Sequence, residues 1–225
     1  MEPHVYVIHL KHRTDRKKQF MEAWVAAALP TQNLHWHSAV LGSALPPRVL
    51  GAFPSRLTRT AKTRKARAGR VGCYLSHVAA IKNAIRRNHF PLLVLEDDAV
   101  PTGSVVALTQ LFATAPTEAT LLYFGALPVK DRKRVKGYCL TQQGQGQWFS
   151  PGHEQLYGGH AYGFATREAA EEMVGFLEAN RMTFDSALVR WTKTHKDRVA
   201  VYCPLQFVQS DGFSDIEGMA RHHER

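Results

Sequence analysis

Residues 92 to 100 read Leu-Leu-Val-Leu-Glu-Asp-Asp-Ala-Val. The apolar run has the length and composition of a central strand buried on both faces. Asn88-His89-Phe90-Pro91 precedes it and three carboxylates stop it abruptly. In open α/β sheets ligands sit beyond the carboxyl ends of the strands, so Glu96, Asp97 and Asp98 stand where such a sheet would hold its substrate. Adjacent carboxylates repel one another unless a cation neutralises them, and Mg²⁺ or Mn²⁺ with oxygen ligands is the natural partner. In extended backbone Glu96 and Asp98 would point to one side and Asp97 to the other. A solvated acidic turn or a helix cap is the competing use of the same residues.

Working outward, the strand is preceded by a helix whose apolar positions Val71, Leu75, Val78, Ile81 and Ile85 form one stripe. At the N-terminus Val5 to Leu10 is a short run of strand formers. A helix follows it, with Thr14 as cap and Asp15 as first-turn acid, running to about Leu29. Asn33 to Ala39 reads as a second strand and Gly42 to Gly69 as a long irregular loop. After the acids come a helix near Ser104 to Thr114 and a strand from Thr120 to Phe124. Ala161 to Thr166 and Val199 to Cys203 read as strands, Glu168 to Leu177 and Asp185 to Thr194 as helices. Strands alternating with helices predict one α/β domain.

Composition narrows the class. The chain has 225 residues, 44% hydrophobic and 21% charged, which excludes general disorder. No stretch approaches 18 apolar residues, so no spanning helix is expected. With Glu2 and no basic leader at the start, a secretory signal is not expected either, and a cytoplasmic location follows as an expectation. Cys73, Cys139 and Cys203 are odd in number and widely spaced, which reads as reduced thiols in a reducing compartment.

The net charge of +10 is uneven: no acid lies between Glu22 and Glu96, and seven cations fall between Arg56 and Arg70. A one-sign stretch repels itself and reads as an exposed loop whose partner is an anion. Solubility alone is the simpler explanation. The segment would also suit an anionic membrane surface as a peripheral contact, though no amphipathic anchor accompanies it.

The segment from Gly69 to Ala99, with G-C-Y-L-S-H at 72–77 and L-V-L-E-D-D-A at 93–99, resembles glycosyltransferase family 25. Other parts agree in order. V-Y-V-I-H-L-K-H-R-T-D-R (5–16) resembles the family's opening strand and nucleotide-binding turn, and G-G-H-A-Y (158–162) its G-T-H-A-Y segment. T-F-D-S-A-L (183–188) resembles its Asp-containing helix start, and P-L-Q-F-V-Q-S-D-G-F-S-D-I (204–216) its closing segment.

The resemblance implies a single-domain α/β fold, GT-A-like with a Rossmann-like nucleotide-sugar half. It divides the chain into residues 1–125, mainly donor-binding, and 126–225, mainly acceptor-binding and catalytic. It further implies transfer of a hexose from a nucleotide-sugar, UDP-linked in most members, to a hydroxyl on a glycan or protein, with Mn²⁺ or Mg²⁺ as cofactor. Carried over, Glu96, Asp97 and Asp98 take the place of the metal-binding triplet, Asp98 as direct ligand and Glu96 at the metal or ribose. His160 is the candidate for a further ligand or a phosphate contact, and a buried structural histidine is its other reading. Leu10, Arg13 and Asp15 match the turn that cradles the nucleotide. Ser76 is a candidate donor contact or a packing residue. Arg70 stands where members commonly carry an acid, so the basic stretch would either grip the pyrophosphate or recognise an acidic acceptor.

The β-linked products of the family imply inversion at the anomeric carbon, which needs a carboxylate to take the acceptor's proton. Asp185 is the first candidate, with helix capping as its other role. Asp211 and Asp215 are the backups, and Ser214 is placed with Asp211 at the sugar. Two rival classes share the acids and cations: a metal-dependent nucleotidyltransferase or nuclease, and a non-enzymatic nucleic-acid binder using residues 56–70. No second acidic cluster supports the first, and no interleaved aromatics support the second, so no nucleic acid is expected as partner.

Overall fold

In the computed structural model, the described residues are 1–54, 64–103, 105–128, 146–151, 156–210, 212–214 and 219–221. The expected central strand is present as β3 (Leu92–Glu96), beside β1 (His4–His9) and β2 (Leu34–Ser38). The remaining strands of the main sheet are β5 (Leu121–Pro128), β6 (Gln147–Phe149), β7 (Leu156–Phe164) and β8 (Val199–Cys203). The small strands β4 (Ala99–Pro101), β9 (Phe207–Gln209), β10 (Gly212–Ser214) and β11 (Met219–Arg221) form two two-stranded sheets, β4 with β9 and β10 with β11. The helices are α1 (Thr14–Ala26), α2 (Pro47–Gly51), α3 (Arg64–Arg87), α4 (Leu108–Ala113), α5 (Arg167–Ala179) and α6 (Phe184–Thr194).

The seven-stranded sheet runs β2-β1-β3-β7-β5-β8-β6. β1 lies parallel to both β2 and β3, and β5 parallel to β8. β7 is antiparallel to β3 and β5, and β6 to β8. Five strands therefore point one way and β6 and β7 the other, which is a mostly parallel, Rossmann-like α/β domain. Simple strand–helix alternation predicted β7 but not its reversal. β7 also lies between β3 and β5, so the sheet is continuous across residue 125.

Leu92, Leu93, Val94 and Leu95 are each 0% exposed, the two-sided burial that an unbroken apolar run requires. Tyr6, Ile8, Leu92 and Val94 face a core shared with α3, α5 and α6. Val5, Val7, Leu93 and Leu95 face a second core with Phe20 and Trp24 of α1 and Leu111 of α4.

α3 begins at Arg64, not near Val71, so the last part of the expected irregular loop is helical. Arg64 and Lys65 are exposed while Ala68 and Val71 are buried, so the helix turns the cations outward and keeps its apolar stripe. Arg67 spans the gap by donating to the Leu50 carbonyl at 3.1 Å. The preceding segment also carries a 3₁₀ turn at Gly42–Ala44, where two glycines are sterically required. A Cβ on Gly42 would lie 2.1 Å from the Ala68 carbonyl oxygen, and one on Gly72 2.6 Å from that of Val40. Of the basic stretch 56–70, residues 56–63 lie outside the described residues. Asn88, with φ of 54°, ends α3 in the left-handed conformation that asparagine tolerates.

Cys203 is disulfide-bonded, not a reduced thiol, so the cysteines give no argument for a reducing compartment. Among the described residues no helix is long and apolar enough to cross a membrane.

Candidate active site

The carboxyl ends of β1 and β3 meet at the acidic turn. Ile8 pairs with Glu96 in parallel register, so His9 and the start of α1 lie beside Asp97 and Asp98. His9 donates from Nδ1 to Asp97 at 2.9 Å, and Arg16 donates to the other Asp97 oxygen at 2.7 Å. Arg16 also reaches Asp98 at 3.5 Å, and Gln209 of β9 donates to the same Asp98 oxygen at 3.3 Å. The backbone carbonyl of Asp98 accepts from Ser210 N–H at 2.8 Å, which fixes the turn against the β4–β9 pair.

The expectation that Glu96 and Asp98 share a side does not hold. Glu96 accepts from His77 of α3 at 3.1 Å, whereas Asp97 and Asp98 share Arg16 of α1. The reason is local: the strand ends at Glu96 and the chain turns at Asp97-Asp98, so the alternation of the pleat stops there. Glu96 keeps the parity of Leu92 and Val94 and faces α3; the turn brings both aspartates to α1.

The three acids are thus in three different electrostatic situations. Asp97 is satisfied by two donors. Glu96 sits against His77, whose ring is buried and stacked on Phe184 at 3.8 Å. Burial holds His77 well below its ordinary value, at about 3, so the ring is neutral. Its Nε2–H donates to Glu96 and its Nδ1 accepts from Tyr162 O–H at 3.0 Å, which fixes the tautomer. Asp98 has one oxygen paired, while its Oδ1 is buried with no hydrogen-bond partner. Burial first, then the Glu96 charge, push its carboxyl up to about 7.

An orphaned buried carboxylate oxygen amid like charges is the chemistry that a hard cation relieves. The oxygen donors at this turn therefore fit a divalent ion, with Asp98 its clearest ligand. Cys73, His77 and Glu96 also converge, their ligand atoms within 4.8 Å, but both His77 nitrogens are already engaged.

The other expected site residues fall as follows. The carbonyl of Leu10 accepts from Arg13 N–H at 2.8 Å, closing the β1–α1 turn next to the acids. Arg13 is clamped to Asp15 at 2.8 Å, and this pair holds the Asp15 carboxyl well below the usual range. His160 is buried on β7, one residue beyond the Leu95–Ala161 pair. It lies over Gly125, where a Cβ would come within 2.5 Å of its Nε2. Ser76 is buried, accepting from Val40 N–H at 2.8 Å and donating to Gly72 at 2.7 Å, so its hydroxyl is occupied in holding α3 to the backbone. Arg70 lies on α3, half-buried, two turns before His77.

Asp185 stands in the first turn of α6, but the cap is Thr183, which accepts from Ser186 N–H at 3.3 Å. The Asp185 carboxylate instead accepts from Gly159 N–H of β7 at 3.0 Å and lies close enough to His77 to bias it electrostatically. The structure therefore brings Glu96, His77 and Asp185 together, with Asp97, Asp98 and Arg16 on the other side of the same strand end. Asp211 and Asp215 lie outside the described residues, and for Ser214 only the backbone pairing with Met219 is described.

His9, Arg16 and Gln209 were not singled out from the sequence. Arg16 closes the V-Y-V-I-H-L-K-H-R-T-D-R segment of the nucleotide turn, and His9 is the last residue of β1.

A family model described as glycosyltransferase family 25 (LPS biosynthesis protein) matches residues 2–187. A search of curated proteins gave no match. The matched residues include the β1–α1 turn, the acidic turn and Asp185; the segment from 204 to 216 lies beyond them.

Proposed function

The chain belongs to glycosyltransferase family 25, and from that premise we propose that it transfers a hexose from a UDP-sugar to a hydroxyl acceptor, with inversion and with Mn²⁺ or Mg²⁺ at the acidic turn. Membership in the family gives a sugar donor and an acceptor; the metal, the nucleotide, the hexose and the stereochemistry are the finer reading. The observation that carries it is the buried, unpartnered Oδ1 of Asp98 at the carboxyl end of the central strand. A divalent ion there would supply positive charge against the diphosphate of the donor.

The chain's own residues divide the remaining work. Arg16 and His9 hold Asp97 in place, so the turn is rigid before any donor arrives, and rigid placement costs no reorganisation during reaction. The Leu10–Arg13 turn beside it presents backbone and a guanidinium to the nucleotide. Asp185, oriented by the Gly159 N–H, takes the proton from the acceptor hydroxyl as that oxygen attacks the anomeric carbon from the face opposite the departing diphosphate. The hydrogen bonds from Tyr162 O–H to the neutral His77 ring and from that ring to Glu96 fix the Glu96 carboxylate on the face of the strand toward Asp185.

Equilibrium binding of UDP with and without Mn²⁺ tests the donor half. Binding should tighten at least tenfold with Mn²⁺ in the wild type and not in Asp98→Asn. Equal affinity in all four conditions would remove the metal and the acidic turn from the reading.

A further inference from the structure

At the opposite end of β1 from the acidic turn, three histidines meet. His4 opens β1, His35 lies on β2 and His89 follows α3. His4 Nδ1 and His35 Nε2 are 3.1 Å apart. The His4 and His89 rings are stacked at 3.9 Å, and one ligand atom from each of the three lies within 4.8 Å of the others. All three are half-buried. We propose that His4, His35 and His89 form a binding site for a borderline divalent transition ion, Zn²⁺ foremost, that ties the edge strand β2 to β1 and to the α3–β3 connection.

The His4–His35 pair is close to what such an ion needs, and His89 completes the set by tilting out of its parallel stack on His4. Four ligands at about 2.05 Å in a tetrahedron place ligand nitrogens about 3.3 Å apart, near the His4–His35 separation, so an ion can replace that hydrogen bond with little movement. The third imidazole already has an orienting partner: Tyr6 O–H lies 3.0 Å from His89 Nδ1. Burial keeps the Tyr6 phenol protonated by raising it above its ordinary value. With the proton on Nδ1 donated to the Tyr6 oxygen, His89 offers Nε2, the outer-sphere arrangement that metal-bound histidines use.

Burial first holds all three imidazoles below their ordinary value, with repulsion from His89 and His35 added at His4, from His89 and Arg87 at His35, and from Arg87 at His89, so their lone pairs are available near neutrality. Three neutral nitrogens and no carboxylate select Zn²⁺, Cu²⁺ or Ni²⁺ over Mg²⁺ and Mn²⁺. Arg87, on the last turn of α3, is the charge that opposes an ion there.

The site is separate from the donor chemistry. His4 and His9 are five residues apart on β1, about 16 Å of extended chain.

The test uses the full chain without a polyhistidine tag, in the Asp98→Asn background so that the acidic turn does not compete. Titration with ZnCl₂ should show one ion bound at micromolar or tighter Kd, weakened at least tenfold by His35→Gln and by His89→Gln. Circular dichroism reports whether each variant is folded, and if one is not, the other gives the same reading. X-ray absorption of the loaded protein should show imidazole scattering. Zinc binding unchanged by both substitutions, or no binding by the Asp98→Asn protein at 100-fold excess zinc, would overturn the site.

Discussion

Asp98 is harder to ionise folded than unfolded, because burial and Glu96 push its carboxyl up to about 7. Between roughly pH 4 and 7 the folded chain therefore keeps a proton that the unfolded chain has released, and stability falls as pH rises through that window. Each tenfold change in proton affinity is worth about 1.4 kcal/mol, so the loss is a few kcal/mol at most. In chelator, urea unfolding should show Asp98→Asn gaining on the wild type at pH 8 and much less at pH 5; the same gain at both pH values would mean that the carboxylate is not under strain. At Asp185 the expectation is kinetic. Asp185→Asn keeps an acceptor for the Gly159 N–H and loses the base, so kcat should fall roughly 10²–10⁴-fold with donor affinity unchanged. A parallel loss of donor binding would move Asp185 into the donor pocket. At this scale the acids were legible because an apolar run ends on them without transition. Arg16, His9 and Gln209 were not, because they reach the turn from 81, 88 and 111 residues away, and no local pattern carries such a pairing.

Among the elements, α3 shows what periodicity conveys and what charge hides. Its apolar stripe and its end at Asn88 are readable in the sequence, whereas its first turns read as loop because their charges share one sign. Self-repulsion does not forbid a helix that points Arg64 and Lys65 into water while Ala68 and Val71 pack inward. The tight seat of α3 on the 3₁₀ turn depends on Gly72, where a Cβ would meet Gly42 Cα at 2.9 Å as well as the Val40 carbonyl. Both contacts are backbone, so a side chain cannot swing away. Gly72→Ala should cost about 1–3 kcal/mol and lower Tm accordingly; an unchanged Tm would show that the turn moves freely. The direction of β7 was illegible for a different reason. Strand periodicity is the same for parallel and antiparallel neighbours, and only the order of strands in the sheet tells them apart.

For the whole molecule, alternation of strands and helices sufficed to predict the class, and motifs in the right order pointed to the family that the match over residues 2–187 shows. The sheet order then explains how the groups of the proposed site meet: β1 and β3 deliver His9 beside Asp97, β7 adds His160 and Gly159, and helices on both faces close in with Arg16 on one side and His77 and Asp185 on the other. The most direct test of that assembly is hydrolysis of a panel of nucleotide-sugars with and without Mn²⁺, by the wild type and by Asp98→Ala. Slow cleavage of one UDP-hexose that requires Mn²⁺ and is lost in the variant is the expected result; cleavage indifferent to both Mn²⁺ and the substitution would contradict the role given to the acidic turn.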